Sequence, residues 1–71
     1  MVHAELYTDH FHFVALGRNT AHARGLMADL LKRHCKQVDV RYADMRRHYP
    51  DESIAYTEIQ VGAMLRDGQP I

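Results

Sequence analysis

This chain has little with which to build a covalent or strongly charged framework. Its 71 residues include one cysteine, Cys35, so no disulfide can form within the chain, and a lone thiol suits a reducing compartment. Net charge is also missing. Nine Lys and Arg balance nine Asp and Glu, so no overall field draws the molecule to nucleic acid or to an anionic membrane. Long hydrophobic runs are absent too: the longest near the start is Phe13 to Leu16, too short for a membrane span or a signal-peptide core. A soluble, cytoplasmic protein is the expectation. Glycines are isolated at Gly17, Gly25, Gly62 and Gly68, which excludes a glycine-rich phosphate cradle. Neither Cys-x-x-Cys nor His-Glu-x-x-His occurs, and no repeat or linker divides residues 1–71, so one small domain is expected.

What is present is an ordinary globular composition, 46% hydrophobic and 25% charged. A domain this short buries only about 60% of the surface that its unfolded chain exposes, so its stability alone is marginal. A homodimer that covers further apolar surface would supplement the core.

The richest signal lies between Val2 and Leu16, whose halves mirror one another if the chain folds back at Thr8-Asp9. Pairing Tyr7 with His10 sets Leu6 opposite Phe11, Ala4 opposite Phe13 and Val2 opposite Ala15, giving one apolar face. The other face then carries His3, Glu5, Tyr7, His10 and His12. After this hairpin, Asn19 or Thr20 can cap a helix in which Ala23, Leu26, Met27, Leu30, Leu31 and then His34 or Cys35 follow the helical period. Gly25 inside that helix is expected to mark a close approach to the sheet.

From Val38 to Tyr49 two periods compete. Val38, Val40 and Tyr42 alternate like a strand, whereas Tyr42, Met45 and Tyr49 have helical spacing. A short helix over Val40–His48 is favoured, with Asp39 as its cap and Pro50 as its stop. Ile54–Val61 reads as a strand with Ala55, Thr57, Ile59 and Val61 toward the helices and Tyr56, Glu58 and Gln60 outward. Asp67-Gly68 marks a turn in a short terminal hairpin. The expected fold is α+β, in two layers: an antiparallel sheet with one long and one short helix on one face, in the order ββα(α)ββ.

Three sets of residues could carry function. The outer sheet face, with Tyr7, His10, His12, Tyr56 and Glu58, combines large contact area with polar tips and suits a protein partner or a second copy of the chain. Three histidines there, His3, His10 and His12, would make such association sensitive to acid. The same face offers a metal-binding alternative, with His10 and His12 two apart on a strand and His3 or Glu5 as a third ligand. A second alternative is the segment 32–49, where Lys32, Arg33, Lys36, Arg41, Arg46 and Arg47 outnumber Asp39 and Asp44. There Arg41, Arg46 and Arg47 beside Tyr42 and Tyr49 could meet phosphates and bases, although no RNP-like or helix-turn-helix pattern accompanies them.

Catalysis is not expected. His34 and Cys35 are neighbours on a helix and point about 100° apart, so they form no thiolate–imidazole pair. Glu5 and Glu58 would share a face without a motif around them. The sequence thus points to a non-enzymatic interaction module, probing protein rather than nucleic acid or membrane, with no cofactor.

Overall fold

The computed structural model describes residues 1–67 and 69–71. Strands β1 (Val2–Tyr7) and β2 (His12–Gly17) form the antiparallel hairpin, helix α1 (Thr20–Val38) crosses back over it, and helix α2 (Tyr42–His48) follows. A single 3-10 turn at Asp51–Ser53 leads into β3 (Ala55–Glu58), which pairs antiparallel with β1 and completes a sheet of order β2-β1-β3. A two-stranded hairpin, β4 (Leu65–Arg66) and β5 (Gln69–Pro70), ends the chain. Asp67 in its turn has φ 53°, in the left-handed region that such a turn requires; Gly68 lies outside the described residues. The α+β architecture and the element order agree with the expectation.

The hairpin register differs from the expected one by two residues. Tyr7 faces His12, Leu6 faces Phe13, Ala4 faces Ala15 and Val2 faces Gly17. A shift of two preserves which side each residue faces, so the hydrophobic alternation is blind to it. Thr8 decides the matter. Its N–H donates to the Phe11 carbonyl at 2.8 Å and its hydroxyl oxygen accepts the Phe11 N–H at 3.0 Å, which leaves Asp9 and His10 as the loop. Phe13 thereby takes the place opposite Leu6 in the core. Phe11 stands at the turn, 49% exposed, with its ring edge-on to His34 at 4.6 Å.

Helix α1 starts where Asn19 accepts the His22 N–H at 2.8 Å. Its buried row, Ala23, Met27, Leu31 and Cys35, steps by four residues and lies on Val2, Ala4, Leu6 and Phe13. The helix ends at Asp39, which adopts φ 58°, while Val40 N–H returns to the Cys35 carbonyl at 3.0 Å. Asp39 is therefore the stop of α1 and not the cap of α2, whose own cap, Arg41, makes no side-chain bond. Met45 from α2 and Ile54 close the core, with Tyr42 and Tyr49 packed against it.

The close approach expected at Gly25 occurs instead at Gly17. Space beside Gly25 is open, whereas a Cβ on Gly17 would lie 2.7 Å from Ala23 Cα and nearer still to the Ala23 nitrogen. Gly17 is the point where the chain leaves the sheet and doubles under the first turn of α1.

Strand β3 also faces the opposite way from the expectation. Tyr56 lies opposite fully buried Ala4, on the helix side, and Glu58 lies opposite Val2 on that same side; Ala55 and Thr57 face outward. Ile54 is the physical reason. It is the large buried side chain of this segment, and by alternation it carries Tyr56 and Glu58 to its own face. Among the described residues, no helix is long and apolar enough to cross a membrane.

Candidate functional site: the outer sheet face

Alternation along three paired strands places His12, Val14 and Leu16 of β2, His3, Glu5 and Tyr7 of β1, and Ala55 and Thr57 of β3 on the side away from the helices. Because β1 is central, its outward residues are walled by both neighbours. His3 and Glu5 are each only 7% exposed, an unusual burial for polar side chains on the face opposite the helices. Glu5 is satisfied there. Its Oε2 lies 2.8 Å from His12 Nε2 and 3.9 Å from His3 Nε2.

The Glu5 contact fixes the His12 ring, and Tyr7 lies flat upon it with centroids 4.0 Å apart and planes within 3°. The two rings make a rigid plate with a hydroxyl at its rim. That hydroxyl is held above its ordinary pKa, first by desolvation and then by the Glu5 and Asp67 carboxylates. Beside the plate, Val14 and Leu16 are 41% and 50% exposed. A flat aromatic pair next to exposed aliphatics, above a buried carboxylate, offers a broad contact surface.

The expected site is therefore redrawn. Tyr7 and His12 are together on the face. His10 is in the turn, off the strand, and so does not stand beside His12 as a same-face pair. Tyr56 and Glu58 belong to the helix side: the Tyr56 hydroxyl donates to Asp51 at 2.9 Å, and the Arg24 guanidinium sits 5.3 Å from its ring centre. Burial and the Asp51 bond together raise the Tyr56 hydroxyl pKa. Val14 and Leu16 were missed, although strict alternation from His12 marks both.

The metal alternative loses its pair with His10, and among the described residues no group of three or more His, Cys, Asp and Glu is placed to hold a metal ion. The basic residues are likewise divided. Arg41 and Arg47 both reach Asp44, at 4.0 and 3.5 Å, whereas Arg46 turns inward, 3.9 Å from Asp51, which also holds Arg24 at 3.1 Å. Two acids thus hold four arginines, two at each, and Arg41, Arg46 and Arg47 do not form one row facing a phosphate backbone. Cys35 is buried, its sulfur 3.3 Å from that of Met45, and burial pushes its thiol pKa up. His34 packs on Phe13 at 4.8 Å, away from chemistry with Cys35.

A shallow cleft of about 270 Å³ opens between Thr8, His34, Val38, Val40, Met45 and Tyr49. Asp44 and His48 complete a wall whose exposed surface is mostly apolar. Comparison with protein-family models, with curated proteins and with solved structures finds no match for this chain.

Proposed function

We propose that this chain is a non-enzymatic interaction module of the cytoplasm that binds a partner protein through the outer sheet face and also associates with a second copy of itself. The observation that carries this reading is the rigid Tyr7–His12 plate beside exposed Val14 and Leu16. An exposed aromatic stacked on a ring that a buried carboxylate holds by a hydrogen bond loses little side-chain entropy on binding, which is the usual character of an interface anchor.

The test uses untagged protein from its native cells and any chain that co-purifies with it in fixed stoichiometry. Tyr7→Ser combined with Leu16→Ser should remove that association, with truncation of the aromatic anchor alone costing about 2 kcal/mol, or roughly 30-fold in Kd. Lys36→Ser, on the exposed side of α1, should leave it unchanged. Equal behaviour of the two variants would overturn the assignment of the surface.

A further inference from the structure

We infer that a second copy of this chain pairs with the open edge of β2, joining two three-stranded sheets into one of six strands with Val14 at the twofold axis. This rests on the reading of the chain as an association module and names the geometry of its self-association.

The hydrogen-bond phase of the hairpin is the first support. Thr8 N–H bonds to the Phe11 carbonyl, so the ladder bonds between β1 and β2 recur at every second pair: Leu6 with Phe13, Ala4 with Ala15, Val2 with Gly17. The bond from Ile59 N–H to the Met1 carbonyl, on the other side of β1, keeps the same phase. The backbone N–H and C=O groups of His12, Val14 and Leu16 therefore point away from β1, and in the order β2-β1-β3 no strand among the described residues takes them.

Sheet edges that stay free in solution are normally guarded by lysine, proline or an inward charge. The β2 sequence His-Phe-Val-Ala-Leu-Gly has none of these. Antiparallel pairing about Val14 sets Val14 on its copy and Leu16 on the partner's His12, so all three free residues bond in both chains.

Charge and packing follow the same register. Continuing the pairing by one step past each strand end brings Arg18 to the Asp9-His10 turn of the other copy, twice across the axis, opposing a cation to an anion. On the helix layer, Arg24 reaches toward β3 through Tyr56 and Asp51, while His34 packs on Phe13 of β2. Leu26 and Leu30 precede His34 at four-residue steps and so lie on the β2 flank of α1, where both remain only half-buried. Joining the edges brings these leucines of the two α1 helices toward one another.

Sedimentation of the full chain across the micromolar range tests this, with three variants. Val14→Pro keeps an apolar side chain and removes only an N–H that the monomer does not use, so it should abolish the dimer while circular dichroism stays native. Tyr7→Arg, which alters the outer face and leaves the edge free, should retain the dimer. Val14→Cys should cross-link to its copy under mild oxidation, because the Cα atoms of a hydrogen-bonded antiparallel pair lie about 5.5 Å apart, within disulfide reach. A dimer that survives Val14→Pro but is lost in Tyr7→Arg overturns the edge pairing in favour of association through the face. A wild-type chain that stays monomeric, with no cross-link at Val14→Cys, also overturns it, and leaves the outer face to be judged by the co-purification test alone.

Discussion

Exchanging each of two glycines for alanine should shift stability in opposite directions. Gly25 is inside α1 with open space where a side chain would stand. Glycine in a helix interior costs about 0.8–1.0 kcal/mol relative to alanine, from the extra backbone freedom that folding removes, and no contact offsets the new methyl group. Gly25→Ala should therefore stabilise by about 1 kcal/mol. Gly17 is the reverse case. Its Cβ would meet the Ala23 backbone at 2.7 Å, and backbone in a capped first turn cannot swing aside. Overpacking of this kind costs about 1–3 kcal/mol. At roughly 0.05–0.15 kcal/mol per residue the whole domain holds only about 4–11 kcal/mol, so the second change removes a large share. In thermal melts followed by circular dichroism, about 1 kcal/mol shifts the midpoint of so small a domain by roughly 4–8 °C. Gly25→Ala should melt higher by that amount and Gly17→Ala lower by at least as much. A Gly25→Ala midpoint at or below wild type would refute the open surroundings assigned to that position.

Four further outcomes follow from the geometry. Asp39→Gly should stabilise by about 1 kcal/mol, read by urea denaturation, since glycine adopts φ 58° without strain while the carbonyl bonds at the end of α1 persist. Tyr56→Phe should cost about 1 kcal/mol by losing the Asp51 bond and leave partner binding unchanged, whereas Tyr7→Ser should weaken binding of the partner protein with little effect on the melt. Burial raises the Cys35 thiol pKa above its unfolded value near 9.0, so the protonated thiol's contribution is complete below that pH and declines as pH rises through the alkaline range; a Cys35→Ala variant should show a shallower alkaline loss. Arg41→Ala with Arg47→Ala should alter the salt needed for elution from heparin very little, because Asp44 already faces both cations; a large shift would revive the phosphate-binding alternative.

The elements that could be read from the chain were those with a local cause. Asn19 caps α1, Ala23 through Cys35 keep the helical period, and Tyr42, Met45 and Tyr49 resolve as a helix because all three reach the core. Residue parity on β1 was equally readable, and with it the place of Tyr7 and His12. What escaped depends on contacts that period-two alternation cannot register. One hydroxyl, that of Thr8, selects between hairpin registers that present the same faces. One buried side chain, Ile54, sets the facing of β3 against the suggestion of Ile59 and Val61, which lie beyond the strand. Cβ clearance at Gly17 depends on where α1 begins in space, and spacing alone gives no distance.

The central place of β1 has a consequence for how the protein is made. Glu5 pairs on one side with Val14 and on the other with Ala55, fifty residues further along. A ribosome therefore delivers the middle of the sheet long before its second flank, and the nascent hairpin waits with two bare borders until the last third of the chain appears. Such a distant pairing is the kind of contact that closes late, and until it forms the inner border of β1 stays open to a strand from elsewhere.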